Sequence, residues 1–337
     1  MITSLDSGVR GFSLADVRKL AADARKTFWI GAASFEERCC GAMATMIRER
    51  VRLSCGVILD YQTNLGLDPD GDRNRQQNLD RLRRDASAVF PVEPFEHPVD
   101  AYSFAEFAAF LRDVLSQEHA DLTVIDITCL TKIHTLALAA ELAKLSPEQK
   151  WVLSYTLPEN YGGIHSESAE GWRDVIIAPL AQSARLFNEE YSRGIILLGH
   201  EADRLVFALS ELEPSGGIIV HVDTPRRPDW KLRSAAVNRR TIRRLRGMRF
   251  ADWEAVSVDS VDYGRVASLV GAQIDSAKSH GAPVILFPFG PKSLISNVAL
   301  RLAADYDQAS WFVYPVPQQY DAGYTEGIAD TRWFGIA

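Results

Sequence analysis

The feature of this sequence that most constrains its fold is a pattern of apolar run, short turn, lysine and apolar-periodic segment that occurs twice. The run 122–127 leads to Lys132, and the run 283–288 leads to Lys292, which lies 160 positions further along the chain. Each run has the length of a buried strand, and the segment behind each lysine has the periodicity of a helix. A strand, a tight turn and a helix are therefore predicted at both places.

Other landmarks recur at the same spacing. Trp151 and Trp311 each open the next apolar run, and Asn78 and Asn238 are each predicted to open a basic helix; both pairs are again 160 positions apart. Because a constant offset through several landmarks is unexpected in a chain without repeats, we infer an internal duplication. Helices alternate with apolar strands throughout, which is typical of βαβ units and a parallel sheet.

The predicted fold is accordingly α/β, with two tandem Rossmann-like parallel-sheet halves related by a pseudo-two-fold axis. The 337 residues are enough for two medium-sized domains, each with its own core. The predicted division is a first half at 1–171, a helical connector at 172–193 and a second half at 194–337. Residues 321–335 are expected to form a tail rich in glycine and aromatic residues.

Composition predicts a cytoplasmic location. No apolar stretch approaches transmembrane length, and the first ten residues lack the basic flank and apolar core of a signal peptide. The four cysteines are Cys39, Cys40, Cys55 and Cys129, which are irregularly spaced and confined to the first half. That usage argues against a disulfide framework and favours a reducing compartment.

Several classes of site find no support in the sequence. Neither a Gly-x-Gly-x-x-Gly fingerprint nor a Walker loop is present, which argues against an ordinary dinucleotide enzyme or ATPase. The seven histidines show no ligand spacing such as His-x-x-x-His. Neither a metal site nor a cofactor is therefore predicted.

The turn before each lysine is predicted to bind an anion. It lies at the carboxyl end of a strand and at the amino end of a helix, where free backbone N–H groups and the positive end of the helix dipole converge. Lys132 and Lys292 each add a full positive charge at that place. The sequence therefore predicts a site for a phosphate-bearing ligand in both halves.

The turns after the first strand of each half are expected to complete these sites. In open α/β sheets the first and fourth strands are neighbours at the topological switch point, and ligands bind beyond their carboxyl ends. Arg38 is therefore expected to approach Lys132, and Arg204 is expected to approach Lys292. The other candidate residues of these two turns are Ser34, Glu37 and His200.

The pattern Asp126-x-Thr128-x-x-x-Lys132 resembles a signature of the CARF family, the sensor domains of CRISPR-associated proteins that bind cyclic oligoadenylates. The resemblance implies a Rossmann-like fold and a ligand bound across two domains paired about a two-fold axis. A duplicated chain could build such a pair internally. The candidate ligand-binding residues of this turn are Asp126, Thr128, Thr131 and Lys132. Alternatively, Asp126 caps the turn and Lys132 is a solvated residue of the first helical turn.

The second half departs from this pattern. Leu286 and Pro288 stand where the first half has its aspartate and threonine, and only Lys292 is kept. A sensor of a symmetric ligand should keep equivalent residues in both halves, whereas an enzyme would concentrate its polar groups in one. An enzyme that cleaves or transfers a phosphate-bearing nucleotide therefore stays an alternative, with Asp126 or His200 in acid–base catalysis and the lysines stabilising charge.

One segment carries an exceptional charge. From Arg226 to Arg249 there are ten basic residues and one acidic residue, a net charge of +9 in a chain whose net charge is −7. Such a segment is a candidate contact for nucleic acid or for an effector protein, unless it is a solvated helix face. The residues expected to make that contact are Arg239, Arg240, Arg243 and Arg244.

The function predicted from these features is binding of a nucleotide second messenger, or of another phosphate-bearing ligand, in the cytoplasm and as part of prokaryotic antiviral defence. Two alternatives stay open: the nucleotide-cleaving or nucleotide-transferring enzyme, and a nucleic-acid-associated subunit that uses the basic helices. The sequence does not decide whether the chain is catalytic. No membrane partner is predicted.

Overall fold

The computed structural model describes most of the chain. The described residues are 9–61, 67, 69–146, 148–161, 172–180, 191–199, 202–223, 228–247, 252–259, 262–305, 310–318 and 325–336. They form two compact units. One contains the described residues of Val9–Thr135, Leu145–His165 and Gln319–Ala337, and the other those of Leu136–Lys144 and Ser166–Gln318.

The first unit is built on a seven-stranded sheet. Its strands are β1 (Arg10–Phe12), β2 (Thr27–Ala33), β3 (Cys55–Asp60), β4 (Phe95–Pro98), β5 (Leu122–Asp126), β6 (Lys150–Thr156) and β15 (Thr331–Ile336). Their order across the sheet is β1-β15-β6-β5-β2-β3-β4. β2 to β6 pair in parallel, and β15 and β1 extend one edge with antiparallel pairing. β7 (Asn160–Tyr161) and β14 (Thr325–Glu326) form a separate antiparallel pair.

The second unit is built on a six-stranded sheet that repeats this arrangement. Its strands are β8 (Trp172–Pro179), β9 (Arg193–Leu197), β10 (Gly216–Asp223), β11 (Asp252–Asp259), β12 (Val284–Pro288) and β13 (Ser310–Pro317). Their order, β11-β10-β9-β12-β13-β8, matches β4-β3-β2-β5-β6-β15 strand for strand, and the last strand is antiparallel in both sheets. The predicted α/β fold of two duplicated Rossmann-like halves is thereby confirmed.

Helices connect the parallel strands in both units. They are α1 (Leu14–Asp23), α2 (Gly41–Arg48), α3 (Pro69–Val89), α4 (Phe104–Glu118), α5 (Lys132–Leu142), α6 (Ala202–Glu211), α7 (Pro228–Val237), α8 (Arg239–Arg246), α9 (Tyr263–His280) and α10 (Lys292–Asp305). Side-chain caps explain some of their starts, because Ser13 and Ser103 accept backbone N–H groups of the first turns of α1 and α4. Within the described residues, no helix is both long enough and apolar enough to span a bilayer.

Each unit has its own apolar core. Trp29 and Met43 are fully buried in the first unit, and Phe287 and Ile196 are fully buried in the second. The central strands β2, β5, β9 and β12 are buried along their whole length. Strands buried on both faces read as continuous apolar runs instead of alternating ones, which is why the sequence reveals them clearly.

The antiparallel strands β8 and β15 correct two predictions. The sequence predicts a helix at the start of 172–193, but residues 172–179 form β8 and pair with β13. The predicted tail contains β15, which pairs with β6. The physical reason is that an open sheet edge leaves backbone groups unpaired, and a β-branched run such as 175–177 suits that edge. Each half of the sequence is thus followed by the strand that completes the sheet of the other half.

Two further points of local structure differ from the prediction. Asn78 lies in the middle of α3 and does not open it, whereas Asn238 is the N-cap residue of α8, as predicted, without a side-chain capping hydrogen bond. β4 is absent from the prediction because it is a short edge strand next to prolines, where strand patterns are weak. The division of the chain at residues 171 and 194 stays a prediction, because residues 162–171 and 181–190 lie outside the described part.

Candidate anion-binding corners

Two corners of the fold share one geometry. Lys132 is the first residue of α5, and Lys292 is the first residue of α10. Each helix follows a strand, β5 or β12, that pairs directly with the first parallel strand of its sheet, β2 or β9. Each lysine therefore lies at a topological switch point, where this class of fold binds ligands. Both lysines are half-buried. We call these places the first and the second corner.

In the first corner, the aspartate and threonine of the motif hold the turn itself. Oδ1 of Asp126 accepts hydrogen bonds from the Thr128 backbone N–H at 3.0 Å and from the Thr128 hydroxyl. The same hydroxyl oxygen accepts the backbone N–H of Thr156 at 2.9 Å. Asp126 and Thr128 are 2% and 0% exposed. Asp126 thus closes the turn, which is the structural alternative for this residue.

Thr131 caps helix α5. Its hydroxyl oxygen accepts the backbone N–H of His134 at 3.2 Å, and its hydroxyl donates to the carbonyl of Ala101 at 2.8 Å. The hydroxyl of Tyr61 accepts the Thr131 backbone N–H at 3.3 Å and bonds Nδ1 of His134 at 2.8 Å. Because these groups are buried and bonded to each other, they fix the position from which the Lys132 side chain leaves the backbone.

His134 is a buried titratable group of this network, and no pattern in the sequence predicts a role for it. Its ring stacks on Phe107 with 3.9 Å between ring centroids. Burial lowers the pKa of His134 to about 3, because the protonated ring would lose its hydration. Burial also raises the pKa of the Tyr61 phenol. The pair is therefore uncharged at neutral pH and serves as packing and hydrogen-bonding support for the first corner.

The second corner is built from apolar residues and prolines. Pro291 stands at the position of Thr131, and its carbonyl accepts the N–H groups of Leu294 and Ile295, both at 3.0 Å. Phe289 is buried in the turn before it. Because proline has no side-chain hydroxyl, α10 begins without the side-chain cap of the first corner. The two corners therefore share the lysine and the helix start but hold their turns by different means.

Arg38 and Arg204 occupy the same buried place in the two halves. Nη1 of Arg38 donates to the carbonyl of Thr156 at 3.0 Å, and Nη2 of Arg204 donates to the carbonyl of Pro315 at 2.7 Å. Thr156 and Pro315 belong to the equivalent strands β6 and β13. The two arginines are only 4% and 2% exposed. They therefore tie the turn after the first strand to the fifth strand of each sheet.

The charge of each buried arginine is balanced differently. Arg38 forms an ion pair with the carboxylate of Glu36, which also accepts the hydroxyl of Thr325. The guanidinium of Arg204 lies over the ring of Tyr314, 4.7 Å from its centroid, which is a cation–π contact. These contacts place both arginines in the framework of the corners. Their expected reach toward the two lysines stays a prediction.

Asn78 and Asn238 support the same turns, a role that the sequence analysis missed. Nδ2 of Asn78 donates to the carbonyl of Ser34, and Nδ2 of Asn238 donates to the carbonyl of Gly199, both at 2.9 Å. Ser34 and Gly199 follow the equivalent strands β2 and β9. The common offset of 160 positions was the available signal, because it marks these two side chains as equivalent.

The other predicted site residues differ in accessibility. Ser34 is buried, and its hydroxyl oxygen accepts the N–H of Glu36 at 3.4 Å. Glu37 is exposed and forms an ion pair with Arg81 at 3.2 Å. His200 lies outside the described residues. Within the described chain, no group of three or more histidine, cysteine, aspartate or glutamate side chains is placed to hold a metal ion.

The predicted partner contact lies on a different element of the second unit. Arg239, Arg240, Arg243 and Arg244 are all exposed on α8, which precedes β11. Thr241 and Leu245 form the buried side of the same helix. The basic segment is thus a surface feature of its own and not a part of the turn before Lys292.

Comparison with known proteins bears on the fold. No protein-family model matches the sequence, and a search of curated proteins finds no match either. Among solved structures, a type III CRISPR defence DNA nuclease activated by cyclic oligoadenylate is similar with a TM-score of 0.52 and 10% sequence identity. That match covers 85% of this chain and 65% of the nuclease. The fold of this chain is CARF-like.

A second similar structure is that of Can2 from Sulfobacillus thermosulfidooxidans in complex with cyclic tetra-adenylate. Its TM-score is 0.29 and its sequence identity 16%, over 38% of this chain and 31% of Can2. The chain therefore spans less than two thirds of the length of either protein. The likeness to the nuclease shows the fold of this chain and does not identify its ligand.

Proposed function

We propose that this protein senses a nucleotide second messenger of the cyclic oligoadenylate type in prokaryotic antiviral defence. The observation that carries the proposal is the lysine that begins the helix after the fourth strand in both halves, Lys132 and Lys292. Each lysine lies at the switch point of its sheet, where ligands bind in this class of fold. Each corner presents the same cationic helix start, which suits a phosphate group of such a ligand.

The chemistry of each corner suits a phosphate. The first N–H groups of an α-helix have no acceptor within the helix, and they carry the positive end of its dipole. A lysine at the first helical position adds a compact ammonium charge beside them. A phosphate oxygen at this place would accept hydrogen bonds from the backbone and pair with the lysine at the same time.

The buried framework supports a binding role because it fixes the corners before a ligand arrives. Thr131, Arg38 and Asn78 each satisfy backbone groups around the first corner. Arg204 and Asn238 do the same around the second corner. A preformed site avoids the entropy of ordering loops on binding, so more of the interaction energy appears as affinity.

The fold comparison and the motif both point to the class of ligand. The similar nuclease is activated by cyclic oligoadenylate, and this chain shares its fold over most of its own length. The first corner adds the pattern Asp126-x-Thr128-x-x-x-Lys132, which resembles the signature of such sensors. On these grounds we prefer a cyclic oligoadenylate to other phosphate-bearing ligands.

The enzyme alternative loses its main support in the first corner. It rests on the presence of Asp126 and Thr128 in only one half. Asp126 is 2% exposed, and its carboxylate accepts two hydrogen bonds from Thr128. The asymmetry between the halves therefore has a structural cause, since the second half builds its turn with prolines and needs no such carboxylate.

A thermal-shift screen tests the proposed function. The panel contains cyclic oligoadenylates of several ring sizes, their linear forms, cyclic dinucleotides and ATP. A ligand at a hundredfold excess over its Kd stabilises the fold by about 2.7 kcal/mol, so the active compound should raise the Tm clearly. We expect a cyclic oligoadenylate to give the largest rise.

The recovered ligand separates sensing from catalysis. Chromatography after incubation should return the cyclic oligoadenylate intact if the protein is a sensor, whereas a linear product would favour the enzyme. If no nucleotide of the panel raises the Tm, the proposed function is wrong.

A further inference from the structure

Helix α8 concentrates positive charge on the surface of the second unit. It has the sequence RRTIRRLR, with five arginines in eight residues. All five are exposed, while Thr241 and Leu245 are buried beneath them. At 1.5 Å of rise per residue, these five charges lie along roughly 12 Å of helix axis. The helix is thus anchored by its inner side and presents arginine on both flanks.

One flank of α8 borders an open groove. Arg239, Arg243 and Arg246 line it, together with His221 of β10 and the apolar side chain of Ile242. Its volume is about 630 Å³, which lies within the range of ligand sites. Burial and the neighbouring Lys231 lower the pKa of His221, so the positive charge of the groove comes from the arginines.

The other flank borders a smaller and more apolar cavity. Arg240 and Arg244 stand above side chains that include Val206 and Leu209 of α6, and the volume is about 270 Å³. Arg244 lies 3.9 Å from the carboxylate of Glu213, and both side chains are exposed. An exposed pair at that distance contributes little and leaves the arginine available to another anion.

The equivalent helix of the first half shows that this charge is not a requirement of the fold. α3 also carries five arginines, but four aspartates accompany them. Four of these arginines form salt bridges, namely Arg73, Arg75, Arg81 and Arg83. On α8, by contrast, Arg239, Arg240, Arg243 and Arg246 form no salt bridge to any residue that the structure describes.

We infer that α8 binds the phosphodiester backbone of nucleic acid, independently of sequence, along the groove lined by Arg239, Arg243 and Arg246. The three arginines recur at one-turn spacing over roughly 10 Å, and each strand of a duplex carries one phosphate per about 3.4 Å of the duplex axis. Each of the three arginines could therefore pair with a phosphate. The guanidinium group favours phosphate because its planar N–H donors match two oxygens at once.

Charge density favours nucleic acid over an acidic protein surface. A duplex presents one negative charge per about 1.7 Å of its axis, which matches the crowding of charge on α8. Among the described residues, Arg239, Arg243 and Arg246 form no salt bridge, so a polyanion in the groove would replace bulk counterions there. The inference does not depend on the proposed nucleotide site, because α8 and the two corners are different elements.

Fluorescence anisotropy with short labelled oligonucleotides tests this inference on the full chain. The arms are single-stranded DNA, the same sequence as RNA, a DNA duplex and a polyglutamate peptide, each at about 50 mM and about 200 mM salt. The test variant is Arg239→Gln/Arg243→Gln/Arg246→Gln. Its matched control is Arg73→Gln/Arg83→Gln/Arg84→Gln, which removes the same charge from α3. A thermal melt of each variant confirms folding, since all six side chains are at least partly exposed.

We expect the parent chain to bind at least one nucleic acid, and the affinity to fall steeply with salt. The α8 variant should bind at least about tenfold more weakly, and its salt slope on single strands should be shallower by about 2, because three phosphate contacts are lost. The α3 control should stay within about threefold of the parent. The arm that binds most tightly identifies the strand type.

Three results would overturn the inference. One is the absence of binding to every nucleic acid at low salt. Another is an equal loss in the α8 variant and the α3 control, which would reduce the effect to net charge. The third is polyglutamate binding as tight as that of any nucleic acid and equally dependent on α8, which would identify an acidic protein surface as the partner.

Discussion

Helix α3 and the helical pair α7–α8 occupy the same place in the two sheets, yet their charges have diverged. α3 has five arginines and four aspartates, and α8 alone has five arginines and no acid. The buried groups around them have hardly changed: Asn78 and Asn238 bond equivalent turns, and Arg38 and Arg204 bond equivalent strands. The duplication has thus preserved the groups that hold the turns after β2 and β9, whereas the charge that faces solvent differs between the halves.

The contrast between similar buried groups and different surface charges indicates where functional residues are to be sought in a duplicated chain. Buried polar groups are costly to leave unsatisfied, so their partners are retained whatever the ligand is. A half-buried lysine that recurs at both helix starts is therefore a candidate ligand contact. Helix α8 lacks the aspartates that accompany the arginines of α3, and this difference between the halves also needs an explanation.

The largest effect that the preserved framework predicts is the loss of a buried arginine. Arg38→Met should destabilise the protein by roughly 3 kcal/mol or more, because it leaves the Glu36 carboxylate without its cation. Arg204→Met should cost roughly 1–3 kcal/mol, because it leaves the Pro315 carbonyl without the Arg204 donor. Urea denaturation followed by tryptophan fluorescence measures both. The exposed Arg84→Met is the control and should change the midpoint little.

The two arginine variants sharpen the comparison between the halves. If Arg38→Met and Arg204→Met both unfold at the midpoint of the parent, the arginines are not part of a common framework. Their side chains would then be available for a ligand. That result would support the prediction that they approach Lys132 and Lys292.

Much of this framework could be predicted from the sequence, but not its hydrogen bonds. The buried strands β5 and β12 are recognisable in the sequence as apolar runs, and the offset of 160 positions predicts the duplicated fold. The order of strands follows from the Rossmann-like pattern. What the sequence could not show is that Arg38 is buried, because a charged residue beside two glutamates reads equally well as an exposed turn.

The edge strands and the first corner show the same limit. β8 and β15 pair with strands from the other half of the sequence, and local patterns carry no information on such distant partners. The pattern around Asp126 and Thr128 predicts a site, whereas the structure uses both side chains to close the turn. A polar residue at a turn can serve either purpose, and only its hydrogen-bond partners decide between them.

A middle-sized effect is expected for the equivalent asparagines. Asn238 is 1% exposed and donates to the carbonyls of Gly199 and Ser234, both at 2.9 Å. Asn78 is half-buried and donates to the carbonyl of Ser34. Asn238→Ala should therefore cost roughly 2 kcal/mol and Asn78→Ala roughly 1 kcal/mol. Equal midpoint shifts in urea, or a larger one for Asn78→Ala, would contradict this order.

A further effect concerns pH and separates the two corners. His134 supports the first corner, and the second half has Leu294 at the equivalent position. The pKa of His134 is about 3 when folded, against an ordinary value of 6.5, so only the unfolded chain binds the proton between these values. Acid should thus lower the free energy of unfolding by up to about 1.4 kcal/mol per pH unit in that window.

His134→Leu places in the first corner the residue type found at the equivalent position of the second corner. The variant isolates the contribution of His134 to the pH dependence of stability. The variant loses the Tyr61 hydrogen bond, so it should be less stable at neutral pH. Its stability should nevertheless fall less steeply than that of the parent as the pH drops from 6.5 toward 3. Parallel pH profiles for the two proteins would show that His134 titrates normally and is not held neutral by burial.

The most direct test of the proposed nucleotide site is isothermal titration of a cyclic oligoadenylate into the parent, Lys132→Ala and Lys292→Ala. The exposed Lys19→Ala is the matched control. We expect the parent and this control to bind alike. Each corner variant should bind at least about tenfold more weakly, a loss of about 1.4 kcal/mol, and a thermal melt without ligand confirms that the variant is folded. If both corner variants bind every cyclic oligoadenylate as the parent does, the two corners are not the nucleotide site.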